Sequence, residues 1–255
     1  MTDFSPLSAP VGTPVWVELA GSDLDASAAF YQAVFGWSRA PYNPETFDFS
    51  LADLEVGGLL AKVGDAPDAW NVYLKVDDID ATLLAAASEG GRVLHEPVRE
   101  GEDGVWAFLE DPSGAEFGVW QAESFPGFES HGVPGAPAWF ELHTKDFAAA
   151  VPFYAKVFGC RMTSIGDSDD FRMVVFGDPG TAYAGIYDAA RSDLTERSQW
   201  MCYFAVEDAD SAASIVTSQG GRVIDGPRDT PFGRMSHASD ATGAAFTFIQ
   251  LPKEH

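Results

Sequence analysis

The chain is poor in the residues that most often announce a chemistry. Cysteine occurs only twice, at Cys160 and Cys202. With no CxxC spacing there is neither a thiolate zinc site nor the disulfide framework of a small secreted domain, and both are expected as reduced, buried thiols. Basic residues are scarce: 15 Lys and Arg stand against 39 Asp and Glu, a net charge of −24. A field of that sign repels phosphate backbones and anionic membranes, which excludes nucleic acid and membrane as partners and leaves solubility, or attraction of a cationic ligand, as its use. No run approaches the roughly 18 uncharged apolar residues that span a bilayer. The opening "MTDFSPLSAPVGTP" has no basic residue ahead of an apolar stretch, unlike a secretory signal, so a cytoplasmic protein is expected. There is also no GxGxxG after a strand, no P-loop and no GxSxG elbow. The Gly-Gly pairs at 57–58, 90–91 and 220–221 read as turns or helix ends.

What the chain does have is repetition. "GTPVWVELAGSDLDASAAFYQAVFGW" at 12–37 lies over "GAPAWFELHTKDFAAAVPFYAKVFGC" at 135–160 with a constant offset of 123. "NVYLKVDDIDATLLAAASEGGRVLHEPV" at 71–98 matches "MCYFAVEDADSAASIVTSQGGRVIDGP" at 201–227, offset 130, and "EDPSGAEFGVWQ" at 110–121 matches "SDATGAAFTFIQ" at 239–250, offset 129. Three matches in one order mean an internal duplication. The expected organisation is a tail over 1–11, a first domain over 12–123, a linker over 124–134 within the Pro/Gly-rich "SFPGFESHGVPGAP", and a second domain over 135–251.

Each half is again double. An alternating strand such as "VWVELAG" leads into a helix with acidic residues in its first turn and glycine at its end, followed by two or three extended segments. This βαβββ unit recurs four times. With "FY…VFG" closing the first helix of each half and "DP.G" or "D.TG" entering the last strand, the chain resembles the vicinal-oxygen-chelate superfamily of glyoxalase I, extradiol dioxygenases and bleomycin-resistance proteins. The doubled "PVWVEL" and "PAWFEL" openings look most like an actinobacterial group labelled glyoxalase-like proteins or hydroxylases. The resemblance, which runs from about Gly12 to Gln250, implies an α+β fold of four modules forming two cup-shaped mixed sheets, with ligand held inside a cup.

In that superfamily one divalent metal, iron, zinc, nickel or manganese, is held by His, Glu or Gln on the first and last strands of the modules. The matching stations here are Trp16, Asn71 and Gly118 in the first half and Trp139, Met201 and Thr247 in the second. None is a His or a carboxylate, so no metal is expected, and no other cofactor. A displaced set of Glu141, His143 and His237 is the alternative. Two residues along the same strand face, Glu18 and Glu141 sit among aromatic residues, where a carboxylate can serve as general base or as anchor for a cation, or can form a structural pair such as Glu18 with Lys75 or Arg92. Glu18, Glu141 and His237 are therefore the candidate catalytic residues. Trp16, Asn71, Tyr73, Trp120, Trp139, His143 and Tyr203 are the candidate ligand-binding residues. The function expected is binding of a small aromatic or hydrophobic metabolite or antibiotic in a cup, with a lyase, isomerase or hydroxylase reaction on the same fold as the alternative and a metal-dependent glyoxalase or dioxygenase with displaced ligands behind it. Because duplication already supplies two halves, a monomer or at most a homodimer is expected.

Overall fold

In the computed structural model, which describes residues 6–43, 46–168 and 171–252, the βαβββ unit appears four times. The first module is β1 (Pro14–Gly21), α1 (Leu24–Phe35), β2 (Ser38–Pro41), β3 (Thr46–Leu51) and β4 (Leu54–Ala61). The second is β5 (Ala69–Lys75), α2 (Ile79–Ser88), β6 (Arg92–Glu100), β7 (Gly104–Glu110) and β8 (Glu116–Ala122). The third is β9 (Pro137–Thr144), α3 (Phe147–Val157), β10 (Met162–Asp167), β11 (Arg172–Phe176) and β12 (Gly185–Asp188). The fourth is β13 (Gln199–Ala205), α4 (Ala209–Ser218), β14 (Arg222–Thr230), β15 (Gly233–Ser239) and β16 (Ala245–Gln250). No helix among the described residues is long and apolar enough to cross a membrane.

The four helices start by one device. Asp23, Asp78, Asp146 and Asp208 each accept a hydrogen bond from the backbone N–H three residues on, at 3.0, 2.9, 3.0 and 2.7 Å, which satisfies one of the donors a helix start leaves over.

Strand pairing follows chain order. Modules one and two form an eight-stranded sheet, β2-β3-β4-β1-β5-β8-β7-β6, and modules three and four form another, β10-β11-β12-β9-β13-β16-β15-β14. Both are mixed: within each module the first and last strands run parallel and the rest antiparallel. This is the four-module α+β fold read from the sequence. One reading is corrected: Gly57 and Gly58 lie inside β4, not in a turn. A Cβ on Gly57 would come 3.1 Å from Val17 Cγ2, and one on Gly58 3.2 Å from Glu18 Cγ, so the pair lets a strand lie close beside β1.

Helix packing follows another grouping. Of the described residues, those up to Val15 with Val72–Gly127 and Phe140–Trp200 form one compact unit, and Trp16–Asn71, Phe128–Trp139 and those from Met201 on form a second. In the second unit Tyr31, at the end of the "FY" repeat, is fully buried. Its hydroxyl donates to Asp240 Oδ2 at 3.1 Å and accepts from Trp70 Nε1 at 2.9 Å. Phe35, Trp37, Phe49 and Phe246 ring it. The first unit repeats the arrangement with Tyr154, which accepts from Trp200 Nε1 at 3.0 Å and lies against Phe117, Phe153 and Phe176. Burial, then the negative charge of Asp240 or Asp111 beside it, raises each tyrosine well above its ordinary pKa.

Both aspartates also hold the turns that enter the last strands. Asp240 Oδ1 accepts from the backbone N–H groups of Thr242, Gly243 and Ala244, each at 2.9 Å. Asp111 Oδ1 accepts from Ser113 N–H at 2.7 Å and Ala115 N–H at 3.0 Å. The "D.TG" and "DP.G" motifs are therefore turn anchors.

Candidate functional site

Period-two alternation decides which residues face away from the helices. On β1, Val15, Val17 and Leu19 are fully buried, while Trp16, Glu18 and Ala20 are partly exposed on the other face. On β9 the same division puts Phe140 and Leu142 inside and Trp139, Glu141 and His143 on the opposite face. Function has to be sought on that second face, since the first is packing.

In the first compact unit this face is aromatic along β5, β8 and β7. Tyr73 pairs with Gly118 across the β5–β8 ladder, and Gly118 pairs with Phe108 across β8–β7. The Tyr73 ring lies over Gly118 so closely that a Cβ there would stand 2.2 Å from its Cδ1. Only glycine leaves that space. Two pairs further along, Trp106 opposes Trp120, whose indole covers Gly104 in the same way and donates from Nε1 to Phe125 O at 2.9 Å. Tyr73 and Phe108 are 6.0 Å apart between ring centroids, and His95 leans on Trp106 at 4.8 Å. Tyr73 and Trp120 were expected on this wall; Trp106 and Phe108, both half-buried, belong to it as well. The alternation of "VWAFLED" carried that signal, since Trp106 and Phe108 share the parity that faces Gly118.

The same unit holds an acid–base pair. Glu141 and His143 lie two apart on β9, and Glu141 Oε1 is 2.9 Å from His143 Nε2. The His143 side chain is 2% exposed and that of Glu141 12%. Opposite His143 on β12 stands Tyr187, its ring 5.4 Å away and edge-on. Beyond Tyr187 opens a cavity of about 820 Å³, lined by residues of β10, β11, β12 and the loop after it. Nothing in the sequence pointed there, because this stretch lies outside the three segments whose sequences match between the halves.

In the second unit Trp16 lies 5.8 Å from Phe128 between ring centroids, and Glu18 sits opposite Gly58 of β4. Asn71 is partly exposed at the start of β5. Trp139 packs on a cluster of Met201, Tyr203, Met235 and Ile249. His237 Nδ1 is 2.8 Å from Thr247 Oγ1, its ladder partner, and its ring lies 6.3 Å from Tyr203. Seven of the ten candidate residues thus fall into three clusters: Tyr73 with Trp120 on the aromatic face, Glu141 with His143, and Tyr203 with His237 and Trp139. Arg92, one of the partners considered for Glu18, reaches Glu110 at 2.9 Å. Of the two cysteines Cys202 is buried as expected, while Cys160 is only half-buried; desolvation pushes the Cys160 thiol up to about 11 and raises that of Cys202 as well, which favours the thiol over the thiolate.

These contacts test a divalent metal directly. The last-strand stations are Gly118, covered by Tyr73, and Thr247, bonded to His237. Among the described residues no group of three or more His, Cys, Asp and Glu could hold a metal ion. The displaced set of Glu141, His143 and His237 is therefore not assembled, and the donors present do not fit the metal the fold family implies.

A model of the glyoxalase/bleomycin resistance protein/dioxygenase superfamily matches residues 13–119 and 136–248. The chain belongs to this superfamily. Among relatives, "Putative glyoxylase CFP32" of Mycobacterium tuberculosis is 32% identical over 251 residues, 94% of this chain and 95% of that one. Anthracycline biosynthesis protein DnrV of Streptomyces peucetius is 31% identical over 274 residues, 98% of this chain and 96% of that one. Among solved structures, the Mn(II)-bound glyoxalase of Novosphingobium aromaticivorans superposes with a TM-score of 0.65 over 96% of this chain and 86% of its own, at 18% identity. The 2,3-dioxygenase LapB of a Pseudomonas species gives 0.64 over 96% of each chain, at 17% identity. At those identities the structural likeness shows the fold. As a superfamily member the chain has the architecture of proteins that bind small-molecule substrates.

Proposed function

We propose that the protein binds a small planar aromatic or hydrophobic molecule, a metabolite or antibiotic, on the wall built by Tyr73, Phe108, Trp106 and Trp120, and does so without a divalent metal. The observation that carries this reading is the Tyr73 ring laid over Gly118: the station of a last-strand ligand has become part of an aromatic floor. Aromatic faces hold flat ligands by offset stacking and apolar burial. The net charge of −24 adds attraction for a cationic ligand. The full-length likeness to a protein named for anthracycline biosynthesis supports an aromatic polyketide as the first ligand to try.

The test is calorimetric and fluorescence titration of the full chain with an anthracycline, a bleomycin and a non-planar control of similar size. Micromolar-order binding of the planar ligand is expected. Trp106→Ala and Tyr73→Leu should each weaken it about fivefold to tenfold. Equal affinity for the non-planar control, or no response to either variant, would remove the reading.

A second reading, an enzyme of this superfamily acting by proton transfer as a lyase, isomerase or hydroxylase, is favoured by one observation, the partly buried Glu141–His143 contact. An imidazole oriented by a carboxylate is a general base with a defined tautomer. In this reading Glu141 and His143 move the proton, with Glu18 and His237 as further candidates. Product analysis of any bound ligand separates the two: turnover that Glu141→Gln abolishes, with binding intact, selects the enzyme.

A further inference from the structure

The cavity beside β12 is lined by none of the residues named so far as ligand contacts. At about 820 Å³ it falls within the ~300–1,000 Å³ of small-molecule sites. Its lining joins two aromatic rings, Phe171 and Tyr187, to a polar set that includes Arg172, Asp188, Ser168 and Ser192. Phe171 is an exposed large aromatic residue, and its ring stands 6.0 Å from Tyr187 at a 35° tilt. An apolar ligand would leave the polar side unanswered, and an inorganic anion would leave the rings unused and meet the carboxylates.

The polar groups are held in place with capacity to spare. Arg172 is drawn between Asp167, 3.2 Å from its Nε, and Asp188, 3.7 Å from its Nη1, and its guanidinium lies over the Phe147 ring. Asp188 Oδ1 accepts from Ala190 N–H at 3.1 Å. Ser192 Oγ accepts from Leu194 N–H at 3.2 Å, and Ser168 Oγ is bonded to the Phe171 backbone at 3.1 and 3.2 Å. A carboxylate has about four acceptor positions, a guanidinium five donors, and a hydroxyl both roles, so each can take another bond. The loop that carries Ala190 and Ser192 is pinned from below: Lys145 Nζ donates to Ala189 O and Ser192 O, both at 2.8 Å. Side chains fixed by their own bonds around an open space lose little entropy on binding.

We infer that this cavity is a second ligand site and that it takes a neutral saccharide, a pyranose ring or a glycosyl group. A pyranose has a flat C–H face, which stacks on Phe171 and Tyr187. It has adjacent hydroxyls that each donate and accept, which Asp188 and Arg172 answer as an acceptor–donor pair. The lining sets Asp167 and Asp188 against Arg172 and Arg191, a balance of charge that favours neither an anion nor a cation over a neutral ligand. The inference is independent of the aromatic wall of β5, β7 and β8, because its residues belong to β10–β12, to the connection between β10 and β11, and to the loop after β12.

The experiment uses methyl hexopyranosides, which are neutral and have no aromatic part, so that either site can fail without the other. Saturation-transfer NMR and calorimetry on the full chain should show binding of at least one glycoside at millimolar or lower concentration. Phe171→Ala and Asp188→Asn should each weaken it at least about fivefold. Asp188→Asn keeps the acceptor for Ala190 N–H, and Phe171→Leu keeps apolar bulk while losing the ring, so a folding defect in one variant leaves the other readable. No binding by any glycoside overturns the assignment. So does affinity that both variants leave unchanged, or binding of inorganic phosphate or citrate in preference to the glycosides with loss in Arg172→Met.

Discussion

Tyr31, Trp70 and Asp240 meet in one compact unit as Tyr154, Trp200 and Asp111 do in the other. On the opposite faces of the same strands the copies part. Gly118 lies under Tyr73, whereas its counterpart Thr247 bonds His237. Ala20 is partly exposed where His143 is buried against Glu141. The helix-facing side of each strand answers to packing, where one methylene is felt, and duplication preserved its solution. The opposite side answers to whatever is bound. Two halves that agree in their cores and differ on these faces are expected to share a folding role at the first set of residues and to differ in ligand chemistry at the second.

The comparison breaks most severely at the turn anchors. Asp240→Ala removes the acceptor of three backbone N–H groups and of Tyr31, and Asp111→Ala removes the matching acceptor in the other unit. Each should cost roughly 3 kcal/mol or more, since several buried donors lose their partner at once. Urea unfolding of both variants checks the claim. A loss at one aspartate alone would mean the two posts are not equivalent.

Next in size is an exchange on the opposite face. Gly118→Thr copies Thr247, and Gly118→His restores a ligand type, yet the Tyr73 ring fills that space. Both should destabilise by about 2–3 kcal/mol through overpacking. Tyr73→Ala should relieve most of that cost in the double variant, a coupling measurable by a double-mutant cycle. Independent, additive losses would show that Tyr73 does not close the station.

A smaller effect separates the halves by pH. Asp68 Oδ2 accepts from Ser22 N–H at 2.8 Å and Ser22 Oγ at 2.7 Å, and Lys62 lies 3.0 Å from its other oxygen. Burial alone would raise this carboxyl, but those hydrogen bonds prevail and hold it at about 2. At the equivalent place in the second half Ser198 Oγ accepts from Lys145 N–H at 2.9 Å, an uncharged version of the clamp. A folded-state pKa below the ordinary value adds stability above pH ~4 that is lost as pH falls toward 2, on the order of 2 kcal/mol. Asp68→Ser should flatten the acid limb of stability against pH, while Ser198→Ala should lower the whole curve without changing its slope.

The βαβββ units, the aspartate caps and the duplication were legible because each leaves a local mark: alternation, a residue type at a fixed offset, a repeat. Gly57 and Gly58 misled because glycine has two uses. Local sequence cannot tell a turn from a strand pressed against its neighbour, and only the partner, β1 with Glu18 and Trp16, decides it. The Tyr73–Gly118 contact was half visible as an aromatic residue and a glycine at matching stations, but the ring position depends on strand register. The cavity beside β12 left no mark at all. Arg172, Asp188 and Ser192 come from separate segments that only the sheet and the Lys145-pinned loop bring together.

The smallest expected difference tests the shared core itself. Tyr31→Phe removes an acceptor from Trp70 Nε1 and a donor to Asp240, and Tyr154→Phe removes the acceptor from Trp200 Nε1. Each should cost about 1–2 kcal/mol at neutral pH. Both hydroxyls are raised well above the ordinary tyrosine value by burial and by the neighbouring aspartate. The folded chain therefore holds these protons more tightly than the unfolded one, and this contribution, complete below about pH 10, is lost as pH rises further. Removing one hydroxyl should shallow the alkaline fall in stability by one tyrosine's share, and removing both by twice that. If the two single variants fall with unequal slopes, the posts differ in proton affinity and the copying of the core stops at its geometry.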